Sequence, residues 1–290
     1  MSDGFWTADR LAHALASRVS TNAPRGSHAL GSVSTDTRSL RPGDIFVALV
    51  GDRFDAHDFL RDAVAAGARA LVVSRNAAIG EFDVPIYLVD DTLVALGDLA
   101  HFRRLAWGGP VIAVAGSNGN TSTKELLRSA LESLLAVHAT SGNLNNRFGV
   151  PRTRLALPAA SDVAIIELGT SVPGEIAMLR DISRPDVAIV TSIAEEYLHG
   201  LGELAGVMRE ETSVFHRVAV GIVPSSDVDL VAAASPLRLV TAGLDDGDVH
   251  ATSWRLETDG TGTVTVDGVS IRSPLRGAHN LRDLMLALAA

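Results

Sequence analysis

The chain has 290 residues, of which 47% are apolar, enough to bury one large core or two moderate ones. A net charge of −9 without a basic run argues against a nucleic-acid or anionic-membrane partner. The sequence contains no cysteine, signal-like start or apolar run near the roughly 20 residues that span a bilayer, which excludes disulfides and predicts a cytoplasmic protein.

The first third of the chain alternates between predicted helices and strands. In chain order, the apolar spacing predicts a helix over Thr7–Val19, a strand over Ile45–Val50, a helix from Asp55 to Ala66 and a strand over Ala70–Val73. This alternation predicts a small α/β domain. The domain should end near the turn-rich segment Trp107–Pro110.

The next segment, Val111–Leu127, has the strand, turn and helix order of a phosphate-binding loop. Gly116 and Gly119 allow backbone amides to approach a phosphate, and Thr121 would open the helix with a hydroxyl available to Mg²⁺. The position before Thr121, where such loops carry a lysine that reaches the β- and γ-phosphates, holds Asn120. From these residues alone, a strand-to-helix turn without a ligand remains the alternative.

The remaining pattern predicts a P-loop-type, doubly wound and mostly parallel sheet. A helix is predicted over Leu126–Val137, followed by strands over Val163–Glu167, Val187–Ser192, Val218–Val223, Leu237–Thr241, Trp254–Thr258, Gly262–Val266 and Val269–Ile271, a hairpin turn at Asp267–Gly268 and a last helix that stops at Ala290. The carboxyl ends of parallel strands face one crevice, so Gly116–Asn120, Glu167 and Ser192–Glu196 should surround one site. For Glu167 alone, a solvated strand end is the alternative.

Eight segments resemble, in the same order, a known family. They are Thr35–Arg38, Pro42–Leu49, Asp55–Phe59, Gly116–Gly119, Gly142–Pro151, Glu167–Gly169, Pro173–Ile176 and Gly277–Asn280. Together they resemble the Mur ligases of peptidoglycan synthesis. The resemblance implies a domain over residues 1–107 that binds a UDP-linked precursor, a central ATPase domain over 108–290, and the absence of the C-terminal ligase domain. Mur ligases convert a carboxylate and ATP to an acyl phosphate, which an amine then attacks.

The resemblance also implies roles for individual residues. It implies nucleotide contacts by Gly116, Ser117, Asn118, Gly119, Asn120, Thr121, His279 and Asn280, substrate contacts by Thr35, Arg38, Asp55, His57, Asn145 and Asn146, and Mg²⁺ ligation by Thr121 and Glu167. A surface turn for Arg38 and a satisfied helix-start histidine for His57 are equally good interpretations.

Three positions depart from the family pattern. Asn120 replaces the phosphate-binding lysine, Tyr197 aligns with a metal-site histidine, and Glu211 aligns with a carbamylated lysine. Loss of one preorganised donor costs about 10²–10³ in rate, and a lysine charge is worth up to ~4 kcal/mol at 4 Å. Lys124 is one helical turn away, but similar lysines accompany intact loops, so it does not look like a replacement. We therefore assign no catalytic residue.

Three functions remain open at this point. The leading hypothesis is a degenerate Mur ligase-like pseudoenzyme, without ATP-dependent ligase activity alone, that acts as a binding or accessory subunit of a separately encoded enzyme. It predicts a protein partner, leaves a UDP-linked or other small ligand open, and expects no cofactor. The alternatives are a split or divergent amide ligase that uses ATP and Mg²⁺ with a partner chain, and a nucleotide or UDP-sugar sensor.

Overall fold

The computed structural model describes residues 4–15, 26–51, 54–195 and 198–290, without the side chains of residues 198 and 199. The chain divides into two compact units. Met1–Trp107 and Arg154–Ala159 form the first unit, and Gly108–Thr153 and Ala160–Ala290 form the second. None of the described helices is long and apolar enough to cross a membrane.

The first unit is built on a four-stranded parallel sheet with the order β1-β2-β5-β6. Its elements are α1 (Ala8–Ala14), β1 (Val33–Ser34), β2 (Ile45–Val47), β3 (Val50–Gly51), β4 (Phe54–Asp55), a 3₁₀ helix (Ala56–Phe59), α2 (Leu60–Ala65), β5 (Ala70–Ser74), β6 (Ile86–Val89) and α3 (Thr92–Trp107). Phe46 and Leu71 are buried in the sheet and share a core with Leu60 and Ala63 of α2. This burial explains why the apolar strand segments are short and nearly continuous.

Two predictions in the first unit need correction. The predicted strand Ile45–Val50 is divided, because Ile45–Val47 pairs with β5 whereas Val50 pairs with Asp55 in a separate hairpin. The helix predicted from Asp55 begins with a 3₁₀ turn. The helix predicted over Thr7–Val19 is present as α1 with Thr7 as its N-cap, and residues 16–19 lie outside the described part of the chain.

The second unit contains a seven-stranded sheet with the order β13-β12-β11-β10-β7-β9-β8 and a three-stranded antiparallel sheet, β14-β15-β16. Its elements are β7 (Val111–Ala115), α4 (Asn120–Leu131), β8 (Val137–Ala139), α5 (Gly149–Leu155), β9 (Val163–Glu167), α6 (Glu175–Ser183), β10 (Val187–Val190), α7 (Leu198–Leu201), α8 (Leu204–Thr212), a 3₁₀ helix (Ser213–Phe215), β11 (Val220–Pro224), α9 (Val228–Ala233), β12 (Arg238–Gly243), β13 (Val249–His250), β14 (Ser253–Leu256), β15 (Thr261–Val266), β16 (Val269–Arg276) and α10 (Ala278–Leu288).

Every pairing in the seven-stranded sheet is parallel. Ile112 of β7, Ile165 of β9 and Ile189 of β10 are buried in one core with Leu281 and Met285 of α10. Strands buried in this way consist of continuous apolar residues rather than of alternating ones. The predicted α/β fold with a small first domain and a mostly parallel second sheet is therefore confirmed.

The predicted helix Leu126–Val137 is wrong at its end. Helix α4 stops at Leu131, and Val137 instead begins β8, which pairs with β9. The intervening Leu134 is 86% exposed, so this apolar stretch does not supply the buried face that would extend the helix. The hairpin at Asp267–Gly268 is present, with φ values of 48° and 79° at its two central residues, as a tight hairpin turn requires.

Candidate nucleotide-binding site

The loop between β7 and α4 has the backbone of an anion-binding turn. Gly116 and Gly119 have φ values of 126° and 88°, in the region that favours glycine. A Cβ on Gly116 would lie 2.4 Å from Thr191 Oγ1. The segment after β10 therefore packs directly against the loop, and glycine is needed at position 116 for space as well as for conformation.

Some loop amides are already bound within the protein. Gly116 N donates to Glu211 Oε2 at 2.8 Å, Ser117 N to the Ser192 carbonyl at 2.9 Å, and Asn118 N to Ser192 Oγ at 3.1 Å. In the part of the chain that the structure describes, the N–H groups of residues 119–121 have no protein acceptor. These donors at the N-terminus of a twelve-residue helix are suited to an anion.

The side chain of Asn120 points back into the loop. Its Nδ2 donates to the Gly116 carbonyl, and its Oδ1 accepts a hydrogen bond from Thr191 Oγ1 at 2.7 Å. Both ends of the amide are therefore used within the protein. The position at which a phosphate-binding loop carries a lysine therefore provides no positive charge here, and one of the two N–H donors of the Asn120 amide is already used within the loop.

A polar cluster surrounds Glu167, at the carboxyl end of β9, and we call this cluster the Glu167 side of the loop. Thr121 Oγ1 lies 3.2 Å from Glu167 Oε1, and Asn145 Nδ2 donates to the same oxygen at 3.1 Å. Thr121 and Glu167, predicted together as Mg²⁺ ligands, are thus in contact, and Asn145, predicted as a substrate contact, bonds to the same carboxylate. The hydroxyl and carboxylate oxygens are the hard ligands that Mg²⁺ prefers.

Lys124 is buried beside the same carboxylate. Its side chain is 1% exposed, with Nζ 3.3 Å from Glu167 Oε2, 3.2 Å from Glu125 Oε1 and 2.9 Å from the Thr140 carbonyl. The charge of Lys124 is therefore shared between two carboxylates. Among the described residues, no group of three or more His, Cys, Asp or Glu side chains is placed to hold a metal ion.

Two acidic residues lie next to the glycines of the loop, in the region that we call the Asn120 side. Glu211, one of the predicted departures, is 3% exposed and accepts the Gly116 amide hydrogen bond. Asp283 of α10 is 8% exposed, and burial raises its pKa to about 7. Tyr197 and Glu196, which the sequence also singled out, lie outside the described residues.

Sequence reasoning did not identify Thr191 or Asp283. The predicted cluster began one residue later, at Ser192, although the hydroxyl of Thr191 is the one that contacts Asn120. Asp283 could have been identified from the sequence, because an acidic residue between the apolar residues Leu281 and Leu284 of the last helix indicates a buried charge.

The other predicted nucleotide and substrate residues of the second unit have local roles. His279 and Asn280 lie at the start of α10, where Asn280 Nδ2 donates to the Arg276 carbonyl at 2.7 Å and lies 3.0 Å from His279 Nε2. Asn146 Oδ1 accepts the Gly149 amide hydrogen bond at 3.0 Å and so caps α5. Of the two predicted asparagines, Asn145 reaches the carboxylate cluster.

In the first unit, Thr35 and Arg38 follow β1. Thr35 is half-buried, and the side chain of Arg38 is 88% exposed while it pairs with Asp36 through a 2.6 Å contact. An exposed ion pair of this kind contributes little to stability. Arg38 therefore has the setting of a surface turn, and its side chain is accessible to a ligand.

Asp55 and His57 form a local hydrogen-bonded unit. His57 Nδ1 lies 2.5 Å from Asp55 Oδ1, and His57 Nε2 accepts a hydrogen bond from Ser74 N at 2.9 Å. The backbone N–H of His57 also donates to Asp55, and this bond is the largest cause of the lowered pKa of the Asp55 carboxyl. Both ring nitrogens of His57 are thus used to fix the 3₁₀ helix against β5, the setting of a satisfied helix-start histidine.

Comparisons with known proteins assign both parts of the chain to one family. Residues 114–290 match the Mur ligase middle domain, and residues 30–104 match the Mur ligase family catalytic domain. The UDP-N-acetylmuramoyl-tripeptide–D-alanyl-D-alanine ligase of Escherichia coli K12 is 38% identical over 90% of this chain and 59% of that protein. The Bacillus subtilis protein of the same name is 34% identical over 89% of this chain and 57% of its own length.

Solved structures of the same kind share the fold. MurF from Acinetobacter baumannii superposes with a TM-score of 0.87 and 31% identity, over 98% of this chain and 64% of that one. MurF ligase from Thermotoga maritima in complex with ADP has a TM-score of 0.79 and 27% identity, over 89% of this chain and 61% of its own. The chain therefore spans somewhat less than two thirds of the length of these relatives.

Proposed function

The chain belongs to the Mur ligase family, and we propose that it lacks ATP-dependent ligase activity on its own and acts as a binding or accessory subunit of a separately encoded enzyme. The observation that carries this proposal is the neutral side chain of Asn120, whose Nδ2 bonds to the Gly116 carbonyl and whose Oδ1 bonds to Thr191. Phosphoryl transfer depends on positive charge and free donors directed at the developing anion. A protein can retain a fold after the activity has gone.

Magnitudes support the loss of activity. Removal of one preorganised donor to a transition-state oxygen costs about 10²–10³ in rate. The carboxylate of Glu211, 2.8 Å from the Gly116 amide, also adds negative charge near the place where phosphates would gather. Lys124 does not offset these changes, because its Nζ lies between Glu125 and Glu167.

The second candidate is a split or divergent amide ligase that a partner chain completes. The cluster of Thr121, Glu167 and Asn145 favours it, because its donor set fits Mg²⁺. In this case Thr121 and Glu167 would hold the metal ion, and the open amides of residues 119–121 would face the phosphates of ATP. Bound Mg²⁺ would neutralise phosphate charge. A T. maritima relative was solved with ADP, and a partner chain would have to supply the missing cation in trans.

Within this proposal, residues 1–107 form the domain that binds a UDP-linked or other small ligand. Thr35 and Arg38 are its contact residues, because the Arg38 side chain is exposed. Asp55 and His57 would position this surface rather than touch the ligand directly, since both ring nitrogens of His57 are bound.

An assay of ATP hydrolysis and amide formation tests the proposal. The purified chain is measured alone, with each candidate partner, and as the Asn120→Lys variant, with the exposed Asn143→Lys as a control of equal charge. We expect no turnover by the natural chain alone. Turnover by the natural chain alone contradicts the proposal, turnover only with a partner favours the split ligase, and nucleotide binding without hydrolysis favours a sensor.

A further inference from the structure

Asp283 is a buried carboxyl whose surroundings do not satisfy it. It lies in α10, is 8% exposed, and has neither a hydrogen bond nor an ion pair with any residue that the structure describes. Burial of a carboxylate without a partner is costly, and such a group keeps its proton to a higher pH.

The carboxyl is directed at the phosphate-binding loop. A Cβ built on Gly119 would lie 2.7 Å from Asp283 Oδ1 and 3.1 Å from Oδ2. Gly119 is the N-cap of α4, and the N–H groups of residues 119–121 have no acceptor among the described residues. The unsatisfied acid and the open donors therefore meet at one helix terminus.

Other charged groups do not account for the state of Asp283. Helix α10 packs against α4, β11, β12, β13, β15 and β16. The titratable or charged residues of these elements and of α10 are Lys124, Glu125 and Arg128 on α4, Arg238 on β12, His250 on β13, Arg272 and Arg276 on β16, and His279 and Arg282 on α10. None of them is a cause of the raised pKa of Asp283, for which burial alone is responsible.

We propose that anion binding at the N-terminus of α4 requires a proton held by Asp283, so that this terminus binds a phosphate-type anion poorly in the natural chain at neutral and alkaline pH. An ionised carboxylate against Gly119 repels an anion at the adjacent amides, whereas the neutral acid does not and can also donate a hydrogen bond. The proposal deepens the loss of ATP use proposed above for this loop and rests on it. It makes the loop an anion site that weakens as the solution becomes alkaline.

The pKa of Asp283 sets the size of the coupling between anion binding and proton binding. The pKa of Asp283 is about 7, so the free protein loses this proton over the neutral range, and an anion that requires it binds more weakly at higher pH. If only the protonated form binds, affinity falls roughly 15-fold between pH 7 and pH 8.5. At pH 6 most molecules already carry the proton, and the dependence there is shallow.

Sulfate is a suitable probe, because it does not titrate in this range. We would measure its affinity by calorimetry from pH 6 to pH 8.5 for Asn120→Lys, which strengthens the site, and for Asn120→Lys combined with Asp283→Asn. The sulfate affinity of the first protein should fall roughly 15-fold between pH 7 and pH 8.5, and that of the second should hardly change. Asp229→Asn, at an exposed residue of α9, is the control for removal of a carboxylate.

Asn120→Lys keeps Asp283 and permits a second measurement. This measurement does not depend on whether the protein with Asp283→Asn folds. Titration of Asn120→Lys at pH 7.5 in two buffers of different ionisation enthalpy should reveal proton uptake with sulfate. Equal pH dependence with and without Asp283, no proton uptake, or no sulfate binding at pH 6 each overturns the proposal. Ligation by the natural chain would contradict the proposed function and leave these titrations unchanged.

Discussion

The two sides of the loop at the start of α4 have different electrostatic characters. On the Glu167 side, the carboxylate is matched by the hydroxyl of Thr121, the amide of Asn145 and the ammonium of Lys124. On the Asn120 side, the amide side chain is bound internally and two buried acids, Glu211 and Asp283, are close to the loop glycines. The oxygen ligands suited to a metal therefore lie on the Glu167 side, whereas the position at which a phosphate-binding loop carries a lysine holds a neutral amide.

This difference separates groups that stabilise the fold from groups that would serve only a ligand. The Glu167 cluster also joins α4 to β9 through a buried ion pair, so packing alone is a reason to keep it. A lysine at position 120 would serve a ligand rather than the core, and nothing in the packing of the loop demands it. Residues that the fold needs and residues that only a ligand would need therefore lie within a few positions of each other.

The largest expected effect concerns the pH dependence of stability. The pKa of Asp283 is raised from 3.8 to about 7 in the folded chain, so the folded state holds a proton that the unfolded state releases. The free energy of unfolding should fall as pH rises from 4 to 7, by up to about 4 kcal/mol from this group. Asp283→Asn should gain stability over the natural chain across this range and keep the gain above pH 7.

Urea unfolding of both proteins at a series of pH values measures this effect. A constant difference between them from pH 4 to pH 8 would mean that Asp283 ionises normally. The Asn120 side of the loop would then not contain an acid with a raised pKa.

The next effect tests the Glu167 side with two carboxylates that share one partner. Glu167 and Glu125 lie 3.3 and 3.2 Å from Lys124 Nζ, but their side chains are 5% and 45% exposed. Glu167→Gln should destabilise the chain by about 3 kcal/mol, because a buried ammonium loses its buried partner. Glu125→Gln should cost less than about 1 kcal/mol, as solvent screens that pair. Equal losses in denaturant unfolding would contradict the structural role of the buried pair.

A smaller effect tests the close packing of the loop against the end of β10. Gly116→Ala should cost about 2 kcal/mol or more, because its Cβ would lie 2.4 Å from Thr191 Oγ1 at a φ of 126°. Gly268→Ala is the matched control, since it has a φ of 79° and open space around the new atom. Its cost should be about 1 kcal/mol from the backbone alone. Similar thermal shifts for the two variants would mean that the loop is not held against Thr191.

The sequence predicted those parts of the site that follow from local pattern. Val111–Ala115 and Val163–Glu167 are strands as predicted, and the strand-end rule placed Glu167 near the loop, where its side chain contacts Thr121. The strand at Val137 was missed, because an apolar stretch does not distinguish a continuing helix from an edge strand.

Other features depend on contacts between distant residues. The position of Asp283 against Gly119 results from the packing of α10 on α4, which no local pattern encodes. The internal bonds of Asn120 likewise require Thr191, a residue on another strand end. The second nitrogen of His57 is satisfied by the backbone of Ser74, so the residue type alone left its role open.

Titration calorimetry of Mg²⁺-ATP into the natural chain and into Asn120→Lys, at pH 7.5, tests the central claim most directly. The account predicts no measurable heat for the natural chain and clear binding by the variant, since the added charge is worth up to ~4 kcal/mol. Asn143→Lys should behave like the natural chain. Micromolar binding by the natural chain would contradict the claim that the Asn120 side has lost its phosphate-binding character.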